Sequence, residues 1–265
     1  MFFNRIKHKF AKIREEGKVG LLLFLTAGFP DLETTEKMIP ALIDAGADGI
    51  EIGVPFSDPL ADGATIQASS FHALEQGVSL KDCLDLVSRL RKKIPETPLI
   101  LFGYYNPIFA YGLEDFGRDA QLAGVDGLIV PDLPIEEAEP LNSQCKFTGM
   151  DLIQLLTPTS TEERIRMVCR DASGFIYCVS VAGVTGAREA LPSEVSDMVK
   201  RIRKHTDLPL GVGFGVSTKE HLKYVSQNAD AAIVGSALIR AIGGSVGDEA
   251  VSKAVNFVKT LRGTG

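Results

Sequence analysis

The stretch AGADGIEI, residues 45–52, returns in altered form as AGVDGLIV at 123–130 and as NADAAIVG at 228–235. Each copy has the end of a helix, a turn at Gly or Asn-Ala, an aspartate, and then a run of apolar residues. A unit that recurs in this way is typical of repeated strand–helix architectures. The stretch therefore predicts a fold built from several copies of one strand–helix unit.

Eight short apolar runs recur along the chain, each rich in Val, Ile, Leu or Phe. They lie at 21–25, 49–54, 99–104, 127–130, 151–156, 175–179, 208–213 and 231–234. Most of them start about 23 to 33 residues apart, which is the length of one strand–helix unit. Because the runs are continuous rather than alternating, they are typical of parallel strands that are buried on both faces.

The segments between the runs carry helical periodicity and helix-capping residues. We predict helices at 34–44, 65–75, 79–93, 160–170, 218–227 and 249–261. Ser79 with Asp82, and Ser160 with Glu163, have the spacing of a capping box.

Strands that alternate with helices, with no linker between the units, predict an α/β fold. We expect a single (β/α)8 TIM barrel with extra short helices over residues 1–265. The alternative is an open doubly wound sheet, but no GxGxxG motif opens a helix after the first predicted strand. In a TIM barrel the functional residues lie at the carboxyl ends of the strands and in the loops that follow them.

The composition excludes several classes of function. Among 265 residues there are 28 Lys+Arg and 34 Asp+Glu, which gives a formal net charge of -6. An acidic chain without a basic block is a poor candidate for binding nucleic acid or anionic lipid. The longest apolar stretch, 19–29, is shorter than the roughly 20 residues of a membrane span. The charged N-terminus lacks the apolar segment of a secretory signal, so we expect none.

The cysteines give no sign of a metal site or of disulfide bonds. They are Cys83, Cys145, Cys169 and Cys178, and none of them forms a CxxC motif or stands at metal-ligand spacing from a histidine. We expect reduced thiols in a cytoplasmic protein, with no metal and no cofactor.

Glu51 is a carboxylate in the otherwise apolar second run. A buried carboxylate is costly unless it is paired or protonated. Glu51 therefore has either a structural partner inside the barrel or a raised pKa that suits a general acid or base.

The loop after the second run, VPFSDPLADGATIQ at 54–67, contains Asp58 and Asp62. If one of them faces the same cavity as Glu51, the two carboxyl groups would form an acid–base pair, one protonated and one ionised. The alternative is that both aspartates only cap the helix predicted at 65–75.

Two glycine-rich turns follow the seventh and eighth runs, GVGFGVS at 211–217 and GSAL at 235–238. Glycines allow backbone N–H groups to approach an anion, and TIM-barrel enzymes commonly bind phosphate at this place. The glycine-containing segment at 180–194 is a candidate lid or an ordinary surface loop. Tyr104 and Tyr177 end predicted strands and could line an apolar pocket or belong to the core.

These features predict a small, partly apolar, phosphorylated substrate that is worked on by carboxylates. An aldolase-type lyase and a sugar-phosphate isomerase both satisfy that description, and the patterns alone do not choose between them.

Six phrases of the sequence are similar, in order and spacing, to those of one family. They are GADGIEIGVPFSDPLADGATIQ (46–67), LFGYYNPIFAYG (101–112), GLIVPDLPIEEA (127–138), SVAGVTGAR (180–188), GVGFGVS (211–217) and GSAL (235–238). They resemble the tryptophan synthase alpha subunit family. The resemblance implies a (β/α)8 barrel that cleaves indole-3-glycerol phosphate to indole and glyceraldehyde 3-phosphate.

The resemblance also implies roles for individual residues. Glu51 matches the acid/base that moves protons at the indole C3 and the glycerol hydroxyl, and Asp62 matches the carboxylate that accepts the indole N–H. The substrate-binding positions implied in the same way are Phe24, Ile66, Tyr104, Tyr177, Thr185, Gly186, Gly213, Phe214, Gly215, Gly235 and Ser236. Within that set the glycines, Phe214 and Ser236 match phosphate-binding positions, and Thr185 matches a lid residue.

A partner subunit is implied as well. In the family, the alpha subunit joins a pyridoxal-phosphate beta subunit in an α2β2 heterotetramer, and indole passes between them through a tunnel. Pro55 and Asp58 match coupling positions in the loop that faces the partner. Two alternatives are a stand-alone lyase that releases free indole and a non-catalytic activating subunit. The intact Glu51 and Asp62 argue against the second of these.

Overall fold

Eight parallel strands close into one barrel in a computed structural model of the chain, which describes residues 3–179, 193–213 and 215–264. The strands are β1 (Gly20–Thr26), β2 (Gly49–Gly53), β3 (Leu99–Phe102), β4 (Gly127–Ile129), β5 (Asp151–Leu156), β6 (Ile176–Val179), β7 (Leu210–Gly213) and β8 (Ala231–Val234). Each strand pairs in parallel with its neighbours in sequence, and β8 closes the circle on β1. The predicted TIM barrel is confirmed, and the alternative of an open sheet is excluded.

Helices cover the outside of the barrel. In the described ranges they are α1 (Arg5–Glu15), α2 (Leu32–Asp44), α3 (Ala64–Glu75), α4 (Leu80–Lys93), α5 (Tyr105–Tyr111), α6 (Leu113–Ala123), α7 (Glu139–Thr148), α8 (Glu162–Asp171), α9 (Ser193–Arg203), α10 (Lys219–Asn228), α11 (Ser236–Ile242) and α12 (Gly247–Arg262). The extra short helices that the sequence predicted are therefore present. Within the part of the chain that the structure describes, no helix is long and apolar enough to span a membrane.

One of the two predicted capping boxes is correct. The Ser79 side chain accepts from the Asp82 amide at the start of α4, and the Asp82 carboxylate accepts from the Ser79 backbone. At α8 the capping residue is Thr161, whose side chain accepts from Arg164 N, and the capping box predicted for Ser160 is wrong. Ser160 lies one residue too early, and its hydroxyl instead accepts a hydrogen bond of 3.0 Å from Thr157 N.

Helix α1, which the sequence analysis did not single out, closes the amino-terminal end of the barrel. Its Ile6, Phe10 and Ile13 are buried in the interior apolar cluster that also contains Leu22 and Phe175. These three residues recur at helical spacing on one face of a charged helix. Helix α1 therefore covers the barrel interior at the amino ends of the strands.

The aspartate of the repeated sequence phrase has the same structural role in all three copies. Asp48, Asp126 and Asp230 precede β2, β4 and β8, and each accepts a hydrogen bond of 2.8–3.0 Å from a backbone amide at the start of the preceding strand. Each also pairs with an arginine, namely Arg262, Arg91 and Arg203 respectively. The repeat thus ties the amino ends of neighbouring strands to helices on the outside of the barrel.

Asp126 is in close contact with two arginines. Its carboxylate, 5% exposed, lies 2.6 Å from Arg91 Nη2 and 3.0 Å from Arg5 Nη1. Arg5 belongs to α1, so Asp126 joins the helix that closes the barrel to two strands. Because removing one partner from a buried ion pair leaves the other charge uncompensated, this cluster is expected to matter for stability.

We expect Asp126→Ala to lower the free energy of unfolding by about 3 kcal/mol, because two guanidinium groups and one backbone amide of a β-strand lose their acceptor. Urea denaturation of the purified chain measures the loss. The matched control is Asp115→Ala, which removes an ion pair whose two side chains are each 59% exposed and should cost below about 1 kcal/mol. Equal and small losses in both variants would contradict the structural role of Asp126.

Candidate active site

A cavity of about 690 Å³ opens at the carboxyl ends of the strands. It is lined by Ala61, Asp62, Gly63, Phe102, Pro131, Asp132, Leu133, Pro134, Ile135, Gln154, Leu155, Thr157, Ser160, Arg164, Val168, Tyr177 and Val179. These residues come from the loop after β2, from the ends of β3 to β6, and from α8. The cavity therefore lies where the sequence analysis placed the function, and its size suits a small-molecule ligand.

Glu51 on β2 is completely buried inside the barrel. Neither of its carboxyl oxygens has a hydrogen-bond partner among the described residues. Burial raises the pKa of Glu51 from an ordinary 4.5 to about 8, because the apolar interior disfavours the charged form. Of the two interpretations of this residue, a structural ion pair is therefore not found in the described part of the chain, and burial favours the protonated acid.

Aromatic side chains line the barrel interior near Glu51. The ring of Phe102 lies 5.4 Å from that of Phe24 and 6.4 Å from that of Tyr177, both in edge-on arrangements. Burial, together with the charges of Glu51 and Asp62, raises the pKa of Tyr177 well above its ordinary value. The Tyr177 phenol therefore stays neutral, and it lies close enough to both carboxyl groups for their charges to affect its pKa.

Glycines leave the space that these rings occupy. A Cβ atom at Gly53 would lie 2.5 Å from the Phe24 ring, and one at Gly235 would lie 3.3 Å from the same side chain. At Gly213 a Cβ atom would lie 2.6 Å from the Tyr177 hydroxyl. Larger residues at these positions would displace the aromatic side chains around the site.

Asp62 lies in the loop after β2 and lines the cavity. Tyr104 Oη donates a hydrogen bond of 3.1 Å to Asp62 Oδ2. Burial raises the pKa of Asp62 to about 6, and the bond from Tyr104 opposes that rise. Gly63 occupies the position before α3, where there is no side-chain cap, so Asp62 does not cap this helix.

The other residues predicted in this loop have different surroundings. Pro55 is buried, whereas Asp58 is exposed and accepts a hydrogen bond of 2.6 Å from the Ser57 hydroxyl. Leu60, between the two aspartates, is 94% exposed. The loop therefore presents Asp58 and Leu60 outward and Asp62 inward.

The predicted phosphate positions fall at the ends of β7 and β8. Gly213 ends β7, Gly215 has a φ of +75° that L side chains rarely adopt, and Gly235 directly precedes Ser236 at the start of α11. Phe214, Thr185 and Gly186 lie outside the described residues, as does the predicted lid at 180–194 apart from its last two residues. The described members of the set thus lie at or just after the carboxyl ends of β7 and β8, which are adjacent strands.

Ile66 does not line the described cavity. It is on α3 and packs against the main hydrophobic core, so its contact with a substrate stays a prediction. The sequence analysis missed Phe102, Leu155 and Arg164, which do line the cavity. The rule that site residues follow strand ends could have indicated the first two, because they lie at the ends of β3 and β5.

A second cavity, of about 580 Å³, lies at the opposite end of the barrel beside α1. It contains Asp151 and Asp230, whose carboxylates already accept hydrogen bonds from Asn4 and from Leu210 N. The carboxylates of Asp151 and Asp230 are therefore committed to structural contacts, in contrast to the unpaired Glu51.

Two carboxyl groups with different proton affinities thus lie near Tyr177, since the charges of both raise its pKa, and Tyr177 and Asp62 line the same cavity. At neutral pH Glu51 is a proton donor in an apolar interior, and Asp62 is mainly a carboxylate at the cavity wall. Environments that separate two pKa values in this way are how enzymes assign acid and base roles to similar residues. The arrangement can protonate one part of a ligand while it stabilises a positive charge on another part.

Comparisons with known proteins agree with this geometry. The family model of the tryptophan synthase alpha chain matches residues 10–262. The chain is 52% identical to the tryptophan synthase alpha chain of Geobacter sp. (strain M21) over 259 residues, covering 98% of this chain and 97% of that protein. It is 48% identical to that of Roseiflexus castenholzii over 260 residues, covering 98% of this chain and 100% of that protein.

Solved structures show the same likeness. The crystal structure of tryptophan synthase subunit alpha from Legionella pneumophila has a TM-score of 0.91 at 35% identity, covering 99% of this chain and 98% of that one. A chain of tryptophan synthase from M. tuberculosis has a TM-score of 0.88 at 32% identity, covering 99% of this chain and 98% of that chain. With the barrel, its site and these relatives in agreement, the chain belongs to the tryptophan synthase alpha chain family.

Proposed function

We propose that Glu51 and Asp62 carry out, in this chain, the cleavage of indole-3-glycerol phosphate to indole and glyceraldehyde 3-phosphate. The reaction comes from the family, since the chain is a carbon–carbon lyase of the tryptophan synthase alpha type. The residue roles are supported by one observation above all. Glu51 is buried without a hydrogen-bond partner among the described residues, and the charges of Glu51 and Asp62 both raise the pKa of Tyr177, which lines the cavity together with Asp62.

Glu51 acts first as an acid and then as a base. Its proton goes to C3 of the indole ring, which converts the ring into an indolenine-like cation. The resulting carboxylate takes the proton of the glycerol hydroxyl next to the ring, and that oxygen becomes the aldehyde carbonyl. The C–C bond then breaks, and its electron pair returns to the ring as indole is restored. A pKa of about 8 lets one group give up and recover a proton near neutral pH.

Asp62 stabilises the cation that forms on the ring. Its carboxylate accepts the indole N–H, which becomes more acidic when C3 is protonated. A hydrogen bond to a charged group contributes about 1.5–3 kcal/mol, and this one strengthens as the positive charge develops. Because the pKa of Asp62 is about 6, the carboxylate form predominates at pH 7.

The phosphate of the substrate is proposed to bind at the ends of β7 and β8. Gly213 and Gly235 bring backbone close to Tyr177 and Phe24 respectively, Gly215 follows β7 in open space, and Ser236 adds a hydroxyl. Backbone N–H groups in such turns recognise an anion without a basic side chain. Thr185, Gly186 and Phe214 complete the proposed set, and Ile66 and Tyr104 are proposed to line the indole end.

The beta subunit of tryptophan synthase is the proposed partner, in an α2β2 assembly. Two exposed apolar side chains support it, since Leu60 in the loop after β2 and Phe109 on α5 are 94% and 63% exposed. Exposed large apolar side chains that form a patch are typical of protein interfaces. Asp58 and Pro55 lie in the same loop as Leu60. No observation favours the alternative of a stand-alone lyase.

The whole chain, residues 1–265, is proposed to act as one domain in the cytoplasm. All eight strands contribute to one barrel, which supports a single folding unit. The four cysteines are free thiols, which supports a reducing compartment.

We expect Glu51→Gln to lower kcat for release of indole from indole-3-glycerol phosphate by at least about 100-fold, because the amide cannot donate and recover a proton. A spectroscopic assay of the purified chain, with and without a beta subunit, measures it. The control Glu15→Gln changes an exposed residue at the opposite end of the barrel and should behave as the unchanged protein. Full activity of Glu51→Gln would refute the proposed mechanism.

We expect Leu60→Ser to weaken binding of the beta subunit about tenfold or more, because a leucine side chain that is buried on association contributes about 1.5–3 kcal/mol. Isothermal titration calorimetry with purified beta subunit measures the Kd. Phe147→Ser is the matched control, since Phe147 is 81% exposed on α7, away from this surface. If the two variants bind the beta subunit equally well, the partner surface lies elsewhere.

A further inference from the structure

Tyr104 makes two hydrogen bonds to adjacent residues of the loop after β2. Its hydroxyl donates to Asp62 Oδ2 at 3.1 Å and accepts from Ala61 N at 3.0 Å. The side chain belongs to the segment between β3 and α5 and is 4% exposed. One buried hydroxyl therefore joins two loops that are 42 residues apart in sequence.

The Tyr104 ring makes a third contact with the same loop. It stacks on Phe56 with a centroid distance of 5.0 Å and an interplanar angle of 27°. Phe56 is itself held on α3, because its backbone N–H donates to the Ser70 hydroxyl at 2.9 Å. Tyr104 thus holds both the beginning and the end of the loop that carries Asp62.

On its other side, Tyr104 is anchored to the loop after β4. The backbone N–H of Tyr105 donates to both carboxylate oxygens of Asp132, at 3.0 and 3.3 Å. The start of α5 is therefore fixed relative to a third loop of the cavity. This anchoring gives Tyr104 a defined position from which to orient Asp62.

In the described residues, Tyr104 supplies the sole hydrogen bond to the Asp62 carboxylate. That bond goes to Oδ2, which leaves Oδ1 for a ligand in the cavity. Burial raises the pKa of Tyr104, so the phenol keeps its proton and stays a donor. A donor that cannot ionise favours the charged form of the carboxylate it touches.

We propose that Tyr104 is the positioning residue for Asp62, one that directs Oδ1 at the indole N–H and keeps the carboxylate ionised while the ring cation forms. The proposal rests on the proposed function, because it needs Asp62 to act on the indole ring. Its alternative is a purely structural role, in which Tyr104 only packs the loop against α5.

The variant that separates these two roles is Tyr104→Phe, which keeps the ring and its stacking on Phe56 and removes only the hydroxyl. We expect kcat for indole release to fall about 10- to 100-fold at pH 7, the effect of losing a hydrogen bond to a charged group. Without its donor, the pKa of Asp62 rises further. The acidic limb of the kcat/KM profile should therefore move to higher pH by about one unit.

Tyr105→Phe is the matched control. Tyr105 is the neighbouring tyrosine, and its ring contacts Phe109 and packs against the main hydrophobic core, contacts that phenylalanine keeps. The control should keep the kcat and the pH profile of the unchanged chain. Circular dichroism of both variants across the same pH range checks that the folded fraction stays constant, so that a moved acidic limb reports on Asp62 and not on unfolding.

A double-mutant cycle with Asp62→Asn completes the test. If Tyr104 acts through Asp62, adding Tyr104→Phe to Asp62→Asn should change kcat by less than about twofold. An unmoved acidic limb in Tyr104→Phe, or losses that multiply in the double variant, would overturn the proposal. Failure of the unchanged chain to cleave the substrate, or full activity in Glu51→Gln, would instead overturn the proposed function.

Discussion

Glu51 is a carboxyl group that the barrel holds in its apolar interior, where no described residue offers it a hydrogen bond. In a closed barrel of eight strands, alternate side chains point inward. Glu51 has Phe24 on β1 and Ile100 on β3 as its register neighbours. Such a site disfavours the carboxylate, so the group keeps its proton near neutral pH. The proposed chemistry depends on that proton, because the ring must be protonated at C3 before the C–C bond can break.

The rest of the structure maintains this environment. Helix α1 seals the amino end with Ile6, Phe10 and Ile13, and Asp126 ties that helix to the strands through Arg5. At the opposite end, the loop after β2 brings Asp62 to the cavity wall. One end of the barrel therefore serves stability and the other serves chemistry, which is the usual division in TIM-barrel enzymes.

The sequence was sufficient to predict the barrel and to single out Glu51 as a carboxylate in a buried strand. Continuous apolar runs are a strong signal for buried parallel strands, and a lone carboxylate in such a run needs an explanation. The contact between Tyr104 and Asp62 could not be predicted, because it joins loops whose separation depends on the folded barrel. Helix α1 was not predicted although its apolar residues recur at helical spacing, because most of the residues in this segment are charged or polar. The cap of α8 was assigned one residue early, an error that local pattern alone does not prevent.

The pH dependence of stability tests the protonated state of Glu51 most directly. A pKa of 4.5 in the unfolded chain and about 8 in the folded one means that the native state binds the extra proton. The contribution of Glu51 to the free energy of unfolding is fully present below about pH 4.5 and is lost as the pH rises towards 8. Between about pH 5 and pH 8, the free energy of unfolding in urea should fall by on the order of 3 kcal/mol more for the unchanged chain than for Glu51→Gln. Parallel curves for the two proteins would mean that Glu51 ionises normally, which would contradict the account.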